Sequence, residues 1–237
     1  MSECIRSTDL LLLPGMMCDQ RLWQAQATAL QGNCHVRFGD ISQESAIAAL
    51  ACRILRNSPP VFAVAGLSMG GIVALEMWRQ APHRIERMAL LDTTCFADTD
   101  ERRKLRDEQR ARVGAGELER VLRDELKPNY LAACHRHDSA LLDRVLAMGM
   151  ELGPAVFERQ SIALRDRSRS DALLPSITCP TLVLCGAEDT LCSPQLHREM
   201  AAKLPNARLS VIDDCGHLAT MEQPDSVNAA LLRWLAQ

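Results

Sequence analysis

The fold is decided by residues Val61-Phe62-Ala63-Val64-Ala65-Gly66-Leu67-Ser68-Met69-Gly70-Gly71-Ile72-Val73. An apolar run leads into a serine bracketed by glycines, and a helical pattern follows, which predicts a buried strand, a tight turn and a helix. Gly66 and Gly70 leave room for a turn that lifts the Ser68 hydroxyl out of the sheet. The helix would begin beneath Ser68, where free N–H groups favour a developing oxyanion, and the Met69 N–H is the first candidate donor.

A G-x-S-x-G pattern also occurs in ordinary strand-to-helix turns, so this interpretation needs catalytic partners elsewhere in the chain. The apolar run 181–185 ends in Gly186, and Asp189 follows it. A second run, 207–212, leads into a loop that carries His217. Both residues follow the carboxyl ends of predicted strands, where open α/β sheets bind their ligands. The order Ser68, Asp189, His217 is that of a hydrolase with a Ser, Asp and His triad.

Three other carboxylates compete with Asp189. Asp92 follows the predicted strand 88–91, and Asp213 and Asp214 lie close to His217 in sequence. Asp189 is favoured because a glycine turn precedes it and its place in the chain fits the template. The remaining histidines are interpreted as polar residues of loops or helix surfaces: His35, His83, His135, His137 and His197. For His135 and His137, a position at the border of a pocket is the alternative.

Apolar runs alternate with helical patterns through most of the chain, which predicts a parallel sheet with crossover helices. The predicted strands are 10–13, 36–38, 61–65, 88–91, 181–185 and 207–212. The alternation stops between about Phe96 and Ala172, where the pattern is helical. We therefore expect a helical cap, residues 96–172, inserted in a core formed by residues 1–95 and 173–237. Apolar cap residues such as Leu146, Met150 and Phe157 are expected to select the substrate.

The first helix of this cap, about Asp98 to Val113, carries many charges and few apolar residues. A solvated helix surface with i,i+4 ion pairs is the favoured interpretation, and an anion-binding patch is the alternative.

Composition restricts the classes of function. The 237 residues are 47% hydrophobic and 24% charged, as in an ordinary globular domain. The 27 Lys and Arg against 30 Asp and Glu give a net charge of −3, so we expect no nucleic-acid partner. The sequence contains no G-x-G-x-x-G, P-loop or zinc-ligand spacing, and the chemistry is expected to need no cofactor and no metal.

The ten cysteines include no C-x-x-C pair. Several, such as Cys52 and Cys185, are expected to be small buried hydrophobic residues. The N-terminus lacks a signal-peptide pattern, and the longest apolar runs fall short of a membrane span. We therefore expect a cytoplasmic protein with no membrane partner.

Four segments together resemble the small esterase-like members of the α/β-hydrolase superfamily. They are Gly66 to Gly71, Gly186 to Asp189 with Pro194 beyond, Gly216-His217 with Glu222-Gln223-Pro224 beyond, and Leu10 to Met16 with Trp23 beyond. In this family the residue after an early His-Gly turn donates the second oxyanion N–H. This chain has Pro14 where many relatives have His. The resemblance implies Met16 as the matching donor, with Met17 as the alternative.

The resemblance and the three candidate residues imply a serine hydrolase that cleaves a small carboxylic ester through an acyl-enzyme. Ser68 argues against relatives that use an Asp nucleophile. A lactonase of the enol-lactone type and a cofactor-free perhydrolase remain alternatives. A catalytically silent hydrolase fold that binds a small molecule is an alternative of another class.

Overall fold

The computed structural model describes residues 8–126 and 129–237. These residues contain a six-stranded sheet with the order β2-β1-β3-β4-β5-β6, in which every neighbouring pair is parallel. The strands are β1 (Thr8–Leu13), β2 (Cys34–Phe38), β3 (Phe62–Leu67), β4 (Ile85–Leu91), β5 (Thr181–Gly186) and β6 (Ala207–Ile212). All six predicted strands are present, and the predicted α/β-hydrolase fold is confirmed.

Both faces of the sheet are covered, which explains why its central strands are apolar without interruption. Along β1, Leu10 and Leu12 point into one buried cluster and Leu11 and Leu13 into the other, as the two-residue period of a strand requires. The helices that cover the sheet are α1 (Gln24–Ala29), α2 (Ile47–Asn57), α3 (Met69–Gln80), α7 (Pro194–Lys203), α8 (Ala219–Glu222) and α9 (Pro224–Leu235).

The segment between β4 and β5 is helical. It contains α4 (Asp100–Gly114), α5 (Leu118–Arg120) with a π-helical continuation (Val121–Leu126), and α6 (Ser139–Arg165). Helix α6 is kinked at Gly153, which has a φ of 79° and is followed by Pro154. The bend therefore lies where glycine and proline stand together in the sequence.

The helical segment has a small apolar core of its own, which includes Val113, Val121 and Phe157. Leu146 packs against this core, and Met150 is 40% exposed. The division of the chain into a core and a cap stays a prediction.

One prediction about the cysteines is wrong and one agrees with the structure. Cys185 is buried in β5, whereas Cys52 is exposed because it lies on the solvent side of the amphipathic helix α2. Within residues 8–126 and 129–237, no helix combines the length and the apolar character needed to cross a bilayer.

Candidate active site

Ser68 lies on the turn between β3 and α3 in a strained conformation. Its φ of 54° and ψ of −114° are unusual for a residue with a side chain and cost about 1–3 kcal/mol. Two hydrogen bonds hold the turn: the Ser68 N–H donates to the Leu91 carbonyl at 2.9 Å, and the Thr93 hydroxyl donates to the Ser68 carbonyl at 2.7 Å. The end of β4 therefore supports the strained turn.

The glycines around Ser68 are required by the close approach of backbone to backbone. A Cβ at Gly66 would overlap the backbone of Gly70, and a Cβ at Gly70 would overlap the carbonyls of Leu13 and Pro14. The turn thus packs directly against the end of β1, and the sequence motif has the steric role that was expected of it.

A continuous hydrogen-bond relay joins the three candidate residues. His217 Nε2 lies 2.9 Å from Ser68 Oγ, and His217 Nδ1 lies 2.8 Å from Asp189 Oδ2. Because an ionised carboxylate only accepts hydrogen bonds, Nδ1 carries the ring proton, and Nε2 is left to accept from the serine hydroxyl. His217 and Asp189 are buried, being 4% and 2% exposed. The arrangement is that of a serine nucleophile, a general base and an orienting acid.

The Asp189 carboxylate is fixed at both oxygens. Its Oδ1 accepts the backbone N–H groups of Leu191 at 2.8 Å and Cys192 at 2.9 Å, while Oδ2 faces His217. Burial acts to raise the pKa of Asp189, but the charge of His217 and these hydrogen bonds outweigh it and hold the pKa below its usual value. Asp189 is therefore ionised at neutral pH.

The competing acid Asp92 is hydrogen-bonded to backbone groups and not to the histidine ring. Asp92 is fully buried, and its two oxygens accept the N–H groups of Gly186 at 3.0 Å and Ala219 at 3.2 Å. Burial, together with the nearby charge of Asp189, raises the pKa of Asp92 well above its usual value. Asp213 and Asp214 are exposed. Of the four carboxylates, Asp189 is bonded to His217.

Two backbone N–H groups are available beside Ser68 for an oxyanion. Neither Met16 nor Met69 donates its N–H to another residue within 8–126 and 129–237. Gly15 packs against the Cβ of Ser68, which brings the loop of Met16 next to the turn. The N–H of the alternative donor, Met17, is bonded to Gln160 Oε1 at 2.8 Å. This bond favours Met16 as the second donor.

Glu222 belongs to the motif that follows His217, but the motif alone does not show what this residue does. Its Oε1 accepts the N–H groups of Gly216 at 3.0 Å and Leu218 at 3.1 Å, on both sides of His217. Its Oε2 accepts the N–H of Ala132 at 2.7 Å, from the helical segment. Glu222 thus holds the histidine loop and ties it to the segment above.

The prediction that His197 is a surface residue is wrong. Its side chain is fully buried, and Nε2 accepts the N–H of Thr93 at 3.0 Å while Nδ1 lies 3.0 Å from the Ser193 carbonyl. Burial lowers the pKa of His197, so the ring is neutral and can accept at Nε2. The local sequence does not indicate that His197 is buried, because its hydrogen-bond partner Thr93 is 104 residues away.

A cavity of about 100 Å³ opens beside Ser68 and His217. Its apolar lining includes Leu126 and Leu164 from the helical segment. Among the described residues, Leu146, Met150 and Phe157 do not line it. Their hydrophobicity and helical spacing do not distinguish a helix face that lines the cavity from one that packs in the core of the helical segment.

A metal ion could not bind at the relay without dismantling it. Asp189, Cys192 and His217 bring potential ligand atoms within 4.8 Å of one another. Asp189 and His217, however, are bonded to each other at 2.8 Å. Burial, reinforced by the charge of Asp189, raises the pKa of the Cys192 thiol well above its usual value, and a protonated thiol is a poor ligand.

Comparisons with known proteins agree with this architecture. The chain is 27% identical to a pimeloyl-[acyl-carrier protein] methyl ester esterase of Aromatoleum aromaticum, over 92% of this chain and 94% of that protein. A thermophilic esterase from Thermogutta terrifontis superposes with a TM-score of 0.88 at 28% identity, covering 97% of this chain and 90% of that one.

An enol-lactonase from Burkholderia xenovorans LB400 shares the fold, with a TM-score of 0.87 at 20% identity over 98% of this chain and 92% of that one. The model of the alpha/beta hydrolase family matches residues 10–230. This chain belongs to the alpha/beta hydrolase family.

Proposed function

We propose that this protein hydrolyses small carboxylic esters through an acyl-enzyme, with Ser68 as nucleophile, His217 as general base and Asp189 as the acid that orients the imidazole. The observation that carries the proposal is the hydrogen-bond relay from Ser68 Oγ through His217 to Asp189, with spacings of 2.9 Å and 2.8 Å. The esterase names of relatives at 27% and 28% identity support the reaction class.

In this mechanism, Ser68 Oγ attacks the ester carbonyl carbon while His217 Nε2 takes the hydroxyl proton. The Met69 and Met16 N–H groups would donate to the tetrahedral oxyanion. His217 then gives its proton to the leaving alkoxide, and the alcohol departs. Water, deprotonated by the same Nε2, attacks the acyl-enzyme and releases the acid. A lactone would be opened by the same steps, because it is a cyclic ester.

The proposal is tested by Ser68→Ala, with Ser139→Ala as a matched control. Ser139 is exposed at the start of α6, so its hydroxyl has no part in the relay. We expect Ser68→Ala to lower kcat by about a thousandfold or more on a panel of aryl esters and lactones. The control should retain wild-type activity, and both variants should keep the wild-type circular dichroism spectrum.

A fluorophosphonate probe separates this proposal from a silent binding protein. An active nucleophile reacts covalently with the probe, so wild type should gain the mass of one phosphonyl group and Ser68→Ala should not. Absence of labelling in wild type, or ester hydrolysis by Ser68→Ala within a few-fold of wild type, would refute the assignment.

A further inference from the structure

Three arginines from the helical segment line the cavity beside Ser68 and His217. They are Arg102 and Arg106 of α4, and Arg167, which follows α6. The favoured interpretation of α4 from sequence was a solvated surface with ion pairs. Part of that helix instead turns guanidinium groups toward the candidate nucleophile.

The positive charge of this cluster exceeds its negative charge. A single buried carboxylate, Asp98, lies among the three arginines, with N–O distances of 3.8 Å to Arg102, 2.5 Å to Arg106 and 2.8 Å to Arg167. Burial acts to raise the pKa of Asp98, but the arginine charges outweigh it and keep the pKa below its usual value. Three guanidinium charges against one carboxylate leave two positive charges. No described residue that lines the cavity is an Asp or Glu.

The three arginines differ in how many donors are left for a ligand. Arg167 is occupied, because it also donates to the carbonyls of Phe96 and Leu164 at 2.9 Å and 2.8 Å. Arg106 binds Asp98 through Nε, and its Nη1 faces only the weak acceptor Met16 Sδ at 3.7 Å.

Arg102 approaches Asp98 through Nε alone, and its terminal nitrogens donate to none of the residues that the structure describes. Arg102 and Arg106 therefore present free donors.

The free donors lie next to the predicted reaction centre. Arg106 contacts the side chain of Met16, whose N–H is a candidate oxyanion donor. The side chain of Arg106 is only 11% exposed, so its excess charge is poorly solvated and would be stabilised by an anion. Guanidinium groups pair with carboxylates through two parallel hydrogen bonds. Arg102 and Arg106 line the same cavity of about 100 Å³ as Ser68 and His217, so a carboxylate bound by them would lie in the cavity of the candidate nucleophile.

We propose that the substrate carries a free carboxylate besides the scissile ester, and that Arg102 and Arg106 bind it. A half-ester of a short dicarboxylic acid, or a lactone bearing a carboxylate, has this chemistry. The inference rests on the proposed ester hydrolysis and adds the charge of the substrate to it.

The test compares monomethyl esters of the dicarboxylic acids from succinate to suberate with analogues in which a primary amide replaces the carboxylate. The two series match in shape and differ in charge. We expect wild type to favour at least one carboxylate over its amide by tenfold or more in kcat/KM. Loss of charge-assisted hydrogen bonds in Arg102→Gln and Arg106→Gln should lower kcat/KM on the carboxylate by about ten- to a hundredfold, and in both variants the preference for the carboxylate over the amide should fall by a similar factor.

Arg103→Gln is the control. Arg103 lies on the same helix but does not line the cavity, and it pairs with the exposed Asp100 at 3.2 Å. It should leave the preference for the carboxylate unchanged. Arg106→Gln removes a partner of the buried Asp98 and could destabilise the fold. Arg102 approaches Asp98 only to 3.8 Å, so Arg102→Gln gives a second measurement that does not depend on that ion pair.

Failure of the inference is distinguishable from failure of the proposed function. Equal kcat/KM on both series, unaffected by the arginine variants, would overturn the carboxylate site and leave ester hydrolysis intact. If wild type hydrolyses neither series, adipate is added in a thermal melt. A rise in Tm that is lost in Arg102→Gln and kept in Arg103→Gln would support the site without ester hydrolysis, and no rise in wild type would overturn it.

Discussion

Asp189→Asn should abolish most activity by holding His217 in the wrong tautomer. In the wild type, Asp189 Oδ1 accepts the half-buried N–H of Leu191 and the buried N–H of Cys192, and Oδ2 accepts the proton on His217 Nδ1. An asparagine that keeps its oxygen toward the two N–H groups turns its NH₂ toward the imidazole. Nδ1 must then accept, so the ring proton moves to Nε2, which can no longer take the proton of Ser68.

The size of the effect follows from the cost of turning the amide over. The productive tautomer requires the amide oxygen to face His217, which leaves the N–H groups of Leu191 and Cys192 without their acceptor. Each buried donor left unpaired costs about 1–3 kcal/mol; with Cys192 buried and Leu191 half-buried, the flip costs at most about 2–6 kcal/mol. At about 1.4 kcal/mol per factor of ten, this corresponds to a loss of roughly 30-fold to 20,000-fold in kcat.

The assay is kcat on an aryl ester for Asp189→Asn and for the control Asp92→Asn, with the melting temperature recorded for both. Asp92 has its oxygens bonded to the N–H groups of Gly186 and Ala219, so its replacement should lower kcat much less. A loss of less than tenfold in a well-folded Asp189→Asn variant would refute the tautomer argument. A larger loss in Asp92→Asn would move the catalytic acid to the end of β4.

Two further predictions concern stability. Gly70→Ala should lower Tm sharply in thermal melts, because the new Cβ would overlap the backbone carbonyls of Leu13 and Pro14. Gly114 in α4 has open space around it, so the control Gly114→Ala should leave Tm unchanged or raise it. Similar Tm values for the two variants would contradict the packing argument. Asp98→Asn should destabilise by about 3–5 kcal/mol at pH 7, since it leaves buried arginine charge unpaired. Because the pKa of Asp98 is lowered in the folded state, the difference in the free energy of unfolding between wild type and Asp98→Asn should be complete above about pH 4 and shrink below it. Urea titrations at a series of pH values measure this difference. A difference that stays constant down to about pH 3 would show that it does not come from the ionised carboxylate.

The fold and the three relay residues could be predicted from sequence because their signals are local. Ser68 lies between two glycines that the turn requires. Asp189 and His217 lie in the loops that follow β5 and β6, and each comes after a glycine. Parallel strands bring their carboxyl ends to one edge of the sheet, so three local patterns suffice to predict one site.

The residues that support the site could not be predicted, because their partners are distant in sequence. Gln160 is 143 residues from Met17, whose N–H it binds, and His197 is 104 residues from Thr93. In the sequence, a glutamine or histidine that becomes buried cannot be distinguished from any other polar residue of a helix. Its role depends on which backbone group the fold places beside it, and no local pattern carries that information.

The arginines of α4 show why a correct pattern can still give an incomplete interpretation. Arg102 lies four residues after Asp98, which is the spacing of ion pairs on a solvated helix, and the two side chains approach to 3.8 Å. Arg106, eight residues after Asp98, binds the same carboxylate at 2.5 Å. The spacing does not predict the contact with Arg167, which follows α6 and lies 2.8 Å from the same, buried carboxylate. With Asp98 shared among three arginines, the donors that Arg102 and Arg106 present to the cavity are in excess. The guanidinium charge that Asp98 does not neutralise thus makes this part of α4 a positively charged wall of the cavity.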